Sequence, residues 1–293
     1  MNIEEYLRQR KEEVDGVLLT YLPPPGVCPE RLREAMSYSL EAGGKRLRPI
    51  LAMAAAETCG GDRHEVLPAA CAIEYIHTYS LIHDDLPAMD DDDYRRGKLT
   101  SHKVFGEAMA ILAGDALLTR SFEILTTEGN MEDGLRLAIL REITRSSGTG
   151  GMVCGQVADM ESEGREVDLE KVEHIHSCKT GALITSSVRC GALIAGAQPA
   201  QLESLTEYGR CLGKAFQIVD DLLDLEGDIS QLGKEPGSDL RRGKATYPSV
   251  VGVAASRDEA ERFGREAKAA LEGIPAGAQV LDGIIDYILR RRS

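Results

Sequence analysis

Residues 74–97 read EYIHTYSLIHDDLPAMDDDDYRRG, an apolar helical pattern that ends in a run of aspartates. Apolar residues recur there at spacings of three and four, which predicts an α-helix. Pro87 disfavours helical backbone at the residue before it, so we expect the helix to end or deform just after Asp84 and Asp85. The chain can then fold back and bring Asp90 toward Asp84. Carboxylates at a helix C-terminus are unfavourable without a cation, because the helix dipole is already negative there.

A second acidic cluster has a similar setting. Residues 216–224 read FQIVDDLLD, so Asp220 and Asp224 are surrounded by apolar residues. At about 100° per residue, these two aspartates fall within about 40° of each other on one helix face. Like charges at that spacing repel each other. A solvated acidic face is one interpretation, but two such clusters on apolar helices favour a shared Mg²⁺, which takes oxygen ligands from carboxylates, phosphates and water.

Basic residues form a second group of polar candidates. Residues 43–49 read GGKRLRP, and Arg95 and Arg96 follow the first aspartate run directly. The glycines and the proline are typical of a helix end and a helix start, but that role leaves the three cations unexplained. Arginine forks and a lysine beside glycine backbone suit a diphosphate. Weaker candidates, each also compatible with a surface position, are Lys179, Thr180, Gln217, Gly233, Lys234 and Lys244.

The spacing of apolar residues predicts helices along most of the chain. Aromatic residues make up only 4% and Trp is absent, so the core must consist mainly of aliphatic residues, which suits helix packing. Predicted helices cover residues 36–41, 51–58, 66–83, 108–125, 135–146, 170–194, 201–224 and 279–290. The turns between them are too short for an interdomain linker. We therefore predict an all-α protein with a single domain over residues 1–293.

The charge balance limits the classes of partner. The net charge is −14, which argues against a nucleic-acid-binding protein, because such proteins usually carry a basic surface. An acidic protein that binds diphosphates needs local basic residues or bound metal, and the sequence offers both. The three arginines at residues 290–292 could reach the mouth of the site or form a solvated helix end, and we expect the solvated helix end.

Cysteine usage and the N-terminus point to a cytoplasmic protein. The seven cysteines are odd in number and form no CxxC pair, which favours reduced thiols over a disulfide framework or a zinc site. Residues 1–16 are charged and lack the apolar core of a signal peptide. No apolar run reaches the length of a membrane span.

Four blocks of the sequence resemble the trans-isoprenyl diphosphate synthases (polyprenyl synthetases), most closely the bacterial farnesyl diphosphate synthases. They are residues 43–49, residues 74–97, residues 179–181 (KTG) and residues 216–248, which include FQIVDDLLDLEGD, LGKEPGSD and GKATYP. The resemblance implies a single large helical bundle around a deep central cavity, usually in a homodimer. It also implies an enzyme that joins isopentenyl diphosphate head to tail to dimethylallyl or geranyl diphosphate, giving (2E,6E)-farnesyl diphosphate.

The resemblance implies roles for individual residues. About three Mg²⁺ ions in the substrate complex would be bound by Asp84, Asp90, Asp220 and Asp224. Isopentenyl diphosphate would be bound by Gly44, Lys45, Arg48, His77 and Arg96. The allylic diphosphate would be bound by Arg95, Lys179, Thr180, Gln217 and Lys234. Lys179, the Thr180 carbonyl and the Gln217 side chain would also act beside the allylic cation, and the departing diphosphate would accept the proton.

Product length depends on the helix that precedes the first acidic cluster. Tyr79 and Ser80 lie about 6 to 7.5 Å below Asp84 by helix rise. In the family that the sequence resembles, a bulky aromatic residue at this level acts as a floor that stops chain growth at C15. The two extra residues Pro87 and Ala88 fit the same subgroup. A C20 synthase is the alternative, because some of these enzymes share the extra residues.

Three other protein classes remain as alternatives. Glu74 with His77, and Glu173 with His176, form two Glu-x-x-His pairs, which is the ligand pattern of a ferritin-like di-iron bundle. That interpretation leaves the paired aspartates and the basic loop without a role. A terpene cyclase would usually replace the second aspartate cluster with a mixed Asn, Ser or Thr, and Glu pattern. A non-catalytic partner subunit would typically lose one of the motifs.

Overall fold

The computed structural model describes residues 2–226, 243–274 and 277–291. Gly233 and Lys234, two of the predicted site residues, lie outside these ranges, as does Arg292. Within the described residues, no helix combines the length and the apolar character needed to cross a membrane.

The described chain is almost entirely helical, as the sequence predicts. The first half contains α1 (Ile3–Leu18), a 3₁₀ turn (Leu19–Tyr21), α2 (Glu30–Leu40), α3 (Leu47–Thr58), α4 (Arg63–Asp84), α5 (Ser101–Phe105), α6 (Glu107–Thr127) and α7 (Asp133–Ser147). The second half contains α8 (Met152–Ser162), α9 (Leu169–Ile175), a π turn (His176–Gly181), α10 (Ala182–Ile194), α11 (Pro199–Glu226), α12 (Tyr247–Val251), α13 (Val253–Ala270) and α14 (Gln279–Leu289). A two-residue antiparallel hairpin, β1 (Tyr94–Arg95) with β2 (Lys98–Leu99), lies between α4 and α5.

Two helices form the centre of the bundle. Most of α3 and α4 is buried on every side, which explains why their sequences are apolar without a clear polar stripe. α4 packs against α3 and α6, while α10 packs against α3 and α11. The few large aromatic residues of the core satisfy their hydroxyl groups: Tyr75 donates to the Leu18 carbonyl at 2.9 Å, and Tyr208 donates to the Leu281 carbonyl at 2.8 Å.

Close helix packing places the walls of the site. A side chain at Gly191 of α10 would overlap the main-chain carbonyl of Ala52 in α3. A Cβ atom at Gly213 of α11 would lie 2.8 Å from the Cα atom of Gly181, in the π turn. Glycine is therefore required at both positions for steric reasons, and α11 lies directly against the π turn.

The structure differs from the predicted helices in two ways. Helices α1, α5, α8, α12 and α13 are additional to the prediction. Charged residues dominate the sequences of α1 and α13, so the few apolar residues of their buried faces do not stand out. The helix predicted over residues 170–194 is divided by the π turn at residues 176–181. A π turn adds one residue to a helical turn without a break in the apolar pattern, so spacing alone does not reveal it.

Candidate active site

The chain folds back at the end of α4, as the sequence predicts. α4 ends at Asp84, and the main-chain nitrogen of Asp90 donates a 2.8 Å hydrogen bond to the main-chain carbonyl of Asp84. Within the loop, the nitrogens of Met89 and Asp91 both donate to the Leu86 carbonyl. The loop is therefore a compact turn that places Asp84 and Asp90 at one rim.

A polar cavity of about 320 Å³ lies at this rim. Side chains from α4, the following loop, the π turn and α11 surround it. The predicted site residues that line it are Asp84, Asp90, Arg95, Arg96, Lys179, Thr180, Gln217 and Asp220. Lys244 lines it as well. The fold thus brings aspartates of both acidic clusters and five of the ten predicted diphosphate-binding residues to one cavity.

The aspartates of α11 differ in their surroundings. Asp220 is exposed at the cavity. Asp221 is buried and accepts hydrogen bonds from the Tyr247 main-chain nitrogen at 2.8 Å and from Gln217 at 3.0 Å. Asp224 lies one turn further along α11 and is buried, and it is not among the described residues that line the cavity. Asp220 and Asp221 therefore both line the cavity, and Asp221 also holds Gln217 in place through a hydrogen bond.

Two basic side chains at the rim, Arg95 and Lys244, lie against carboxylates. Arg95 donates to Asp85 at 2.7 Å. The Lys244 ammonium group lies 3.0 Å from Asp90. These pairs hold positive and negative groups side by side along the cavity wall, where a metal-bound diphosphate would contact both.

Lys179 is held in the same way by a residue that sequence analysis missed. Its ammonium group lies 2.6 Å from the buried carboxylate of Asp159, in α8. Asp159 stands alone in a helix that the sequence does not predict, so no sequence pattern marks it as a site residue. His176, which the sequence suggested only as a di-iron ligand, lines the cavity, and its Nε2 atom lies 3.2 Å from Asp221.

The predicted isopentenyl diphosphate residues form a separate basic group next to the rim. The guanidinium of Arg96 packs on the backbone at Gly44. A Cβ atom at Gly44 would lie 2.5 Å from the nearest guanidinium nitrogen of Arg96. Arg96 also donates to the Gly43 carbonyl. The buried Nε of Arg48 has no hydrogen-bond partner among the described residues, so this group is available to an anionic ligand. Burial, together with the charges of Arg48 and Arg96, holds the pKa of His77 well below its usual value, so its ring is neutral.

Lys45 belongs to the same basic group but faces a neighbouring apolar cavity, which Gly44 also lines. The residue is exposed as a whole, while its ammonium group is partly enclosed by protein. This desolvation, together with the positive charge of Arg291, lowers the pKa of Lys45 to about 8. The ammonium group is therefore close to its titration range near neutral pH.

The carboxylate set suits a hard divalent cation. Burial raises the pKa of Asp84, and the neighbouring charge of Asp90 acts in the same direction. A cation between such groups would offset both effects, and an all-oxygen ligand set is the one that Mg²⁺ prefers. The residues present therefore fit Mg²⁺, with Asp84, Asp90 and Asp220 at the cavity.

A deeper and less polar cavity of about 420 Å³ extends below Asp84. Tyr79 and Ser80 line it, as predicted, together with Met89, Met152, Val157 and Met160. Tyr79 is largely buried and makes an edge contact with His83, at 5.7 Å between ring centroids. Arg48, His77, Lys179 and Thr180 also line this cavity, which therefore leads from the basic groups toward Tyr79.

Thr180 and Gln217 are joined across the π turn and α11. The Thr180 hydroxyl donates to the Gln217 carbonyl oxygen at 2.8 Å, and the Gln217 amide nitrogen donates to Asp221 at 3.0 Å. Asp221 thus fixes the orientation of the Gln217 amide. Both side chains line the polar cavity, with their hydrogen bonds directed along its wall.

The C-terminal arginines were predicted to be solvated, and for Arg291 this prediction is wrong. Its guanidinium donates to Asp220 at 3.3 Å and lies 4.8 Å from the centre of the Phe216 ring. Arg290 is exposed, in agreement with the prediction. Arg291 reaches the site because α14 packs against α11, a contact between distant segments that spacing does not reveal.

The di-iron alternative is not supported by the described residues. Glu74 pairs with the buried Arg46 at 2.8 Å, and Glu173 lies 3.3 Å from Lys214. Where the chain is described, the groups of three or more metal-binding side chains are Cys154 with His174 and Cys178, and Asp91 with Asp93 and His102. The two Glu-x-x-His pairs contribute to neither group.

The sequence and the fold both match known proteins. Residues 29–274 match the family model described as polyprenyl synthetase. The chain is 48% identical over 293 residues to a dimethylallyltranstransferase of Fischerella ambigua, covering 99% of this chain and 84% of that protein. It is also 48% identical over 261 residues to the farnesyl diphosphate synthase of Geobacillus stearothermophilus, covering 88% of each.

A solved structure of a related enzyme shares the fold. The crystal structure of geranylgeranyl pyrophosphate synthetase from Pyrococcus horikoshii superposes with a TM-score of 0.88 at 31% sequence identity, covering 99% of this chain and 100% of that one.

Proposed function

The chain belongs to the polyprenyl synthetase family, and from this membership we propose that it is a farnesyl diphosphate synthase. It joins isopentenyl diphosphate to dimethylallyl diphosphate and then to geranyl diphosphate, and it stops at (2E,6E)-farnesyl diphosphate. The observation that carries the proposal is the position of Asp84 and Asp90 at one rim of the polar cavity, with Asp220 on α11 lining the same cavity.

Members of this family generally use Mg²⁺, and the carboxylates at the cavity fit it. We propose that Asp84, Asp90 and Asp220 hold about three ions in the substrate complex. Asp224 is buried one turn further along α11, so its carboxylate would have to turn toward the cavity to join them. When bound, the metal would supply positive charge that stabilises the leaving diphosphate.

The basic residues divide into two groups that match two diphosphates. Arg95, Lys179, Thr180 and Gln217 line the polar cavity beside the aspartates and would bind the allylic diphosphate, together with Lys234. The other group, Gly44, Lys45, Arg48, His77 and Arg96, would bind isopentenyl diphosphate. A neutral His77 can accept or donate a hydrogen bond without adding charge to an already basic group.

Ionisation of the allylic substrate produces a diphosphate anion and an allylic cation, and both charges need stabilisation. Arg95 and Lys179 would stabilise the departing diphosphate. The Thr180 carbonyl and the Gln217 amide oxygen would stabilise the allylic cation by their dipoles. The isopentenyl double bond then attacks the cation, and the departing diphosphate accepts the proton that is lost. Because water would trap the cation, the reacting carbons need the less polar cavity below Asp84.

The length of that cavity sets the product. Tyr79 lies at its wall one helical turn or more below Asp84, so the growing tail would meet the phenol ring. We propose that this ring ends growth at C15. A C20 product is the second candidate, because a protein named geranylgeranyl pyrophosphate synthetase is among the solved structures that share this fold.

We also propose that the protein is a homodimer. The large apolar side chains that remain exposed include Ile111 and Leu112 on α6 and Val153, Val157 and Met160 on α8. The three residues of α8 lie on one helix face. An exposed apolar helix face such as this one on α8 is typical of a protein–protein contact.

Release of inorganic diphosphate tests the reaction class. One diphosphate should appear for each isopentenyl diphosphate consumed, only when an allylic diphosphate and Mg²⁺ are also present. Release from either substrate alone at the same rate would indicate a hydrolase and contradict the proposal.

A further inference from the structure

Three metal-binding side chains meet where α8 packs against the π turn, outside the carboxylate-lined cavity. Cys154 belongs to α8, His174 to the last turn of α9 and Cys178 to the π turn. The Sγ atoms of Cys154 and Cys178 lie 3.9 Å and 4.0 Å from Nε2 of His174. We propose that these three residues bind one soft divalent cation of the Zn²⁺ class.

The distances are close to those of a tetrahedral zinc site. With Zn–S near 2.3 Å and Zn–N near 2.0 Å, neighbouring ligand atoms lie about 3.6 to 3.8 Å apart. The two sulfur–nitrogen distances are a few tenths of an ångström longer, and all three ligand atoms lie within 4.8 Å of one another. Small side-chain rotations would therefore complete the geometry.

The ligand types separate this site from the magnesium site. Thiolates and imidazole favour zinc and other soft or borderline ions, whereas Mg²⁺ favours oxygen ligands and keeps much of its water. His174 is exposed and both cysteines are half-buried, so the cluster opens to solvent. An ion can enter from that side, and water can occupy the fourth position.

The backbone around the cluster is firmly placed. A side chain at Gly155, the residue after Cys154, would collide with the main chain of Lys179, the residue after Cys178. α8 and the π turn are therefore in direct backbone contact beside the cluster. A bound ion would tie together two segments that also carry the Asp159–Lys179 pair, at 2.6 Å.

Sequence spacing conceals this site. Cys154 and His174 are 20 residues apart, and no CxxC pair exists to mark it. His174 and Cys178 are four residues apart, so they share one helix face. A disulfide between the two cysteines is the competing outcome; the position of the imidazole within 4.0 Å of both sulfurs favours a metal.

The test is a zinc titration of the reduced, chelator-treated full chain in excess Mg²⁺, with a chromophoric chelator as competitor. The variants are Cys154→Ser, Cys178→Ser and His174→Gln, and Cys28→Ser is the matched control because it removes a half-buried thiol elsewhere. We expect one Zn²⁺ per chain in the wild type and in the control. Each ligand variant should bind zinc at least about 100-fold more weakly.

Substitution with Co²⁺ gives a readout that does not depend on activity. The wild type should show a thiolate-to-cobalt charge-transfer band, which Cys154→Ser and Cys178→Ser should each reduce. His174→Gln changes an exposed residue, so its loss of zinc binding cannot be assigned to unfolding. Unchanged zinc affinity in the three ligand variants would overturn the proposal, and so would a Cys154–Cys178 disulfide in protein that binds no zinc when reduced.

Discussion

The main-chain nitrogen of Asp90 donates a 2.8 Å hydrogen bond to the main-chain carbonyl of Asp84, and this contact turns a helix end into a candidate metal site. Without it, two aspartates six positions apart would leave the helix in different directions. With it, both line the same cavity, where burial and mutual repulsion raise the pKa of Asp84. The site is thus electrostatically unfavourable until a cation binds.

Asp84→Asn should lower the activity of the enzyme without lowering the stability of its fold. Because the folded-state pKa of Asp84 is raised, its ionised form destabilises the metal-free fold at neutral pH, and an amide removes that effect. We expect turnover to fall about 1,000-fold or more, while the melting temperature without metal stays equal or rises. Steady-state kinetics and thermal denaturation measure both. Near-normal turnover would mean that Asp84 is not a metal ligand.

The pKa of Lys45 predicts a pH dependence of isopentenyl diphosphate binding. The diphosphate binds the protonated lysine, whose pKa in the free enzyme is about 8. Binding therefore weakens as pH rises through 8, and KM for isopentenyl diphosphate should increase about tenfold between pH 7 and 9. Lys45→Arg keeps its charge over this range and should flatten the profile. An equal rise in the arginine variant would assign the dependence to another group.

Gly44→Ala should weaken the binding of isopentenyl diphosphate because it displaces Arg96. The added Cβ would lie 2.5 Å from the Arg96 guanidinium, so the arginine must move. We expect KM for isopentenyl diphosphate to rise about tenfold or more, the size of one lost charged hydrogen bond. Gly43→Ala is the control, since Gly43 also has a positive φ but has open space around its Cβ position. If Gly44→Ala weakened binding further in an Arg96→Ala background, its effect would not pass through Arg96.

Tyr79→Ala should lengthen the product. Removal of the ring opens the less polar cavity at the level where growth is proposed to stop, so C20 and longer products should appear. Tyr79→Phe keeps the ring and should retain C15. Chromatography of the dephosphorylated products measures the change. A C15 profile in the alanine variant would remove Tyr79 from this role.

The parts of the fold and site that depend on local chemistry are predictable from the sequence. Apolar spacing predicts helices α4 and α6, and Pro87 predicts the turn that joins Asp84 to Asp90. These features are encoded within a few residues, so pattern and sterics are enough.

The remainder of the site depends on contacts between distant segments. Asp159 reaches Lys179 from α8, and Arg291 reaches Asp220 from the end of the chain. Neither residue stands in a distinctive pattern, and only helix packing brings it to the cavity. The π turn is concealed for a different reason, because its apolar spacing is close to that of an α-helix.

Product size is the most direct test of the proposed reaction. Purified protein, labelled isopentenyl diphosphate and Mg²⁺ are incubated with dimethylallyl or geranyl diphosphate, with and without a chelator, and the dephosphorylated products are sized by chromatography. We expect a C15 product from both starters that disappears with the chelator. No product from either starter would contradict the proposed reaction, and a C20 product would keep the reaction but contradict the assignment as a farnesyl diphosphate synthase.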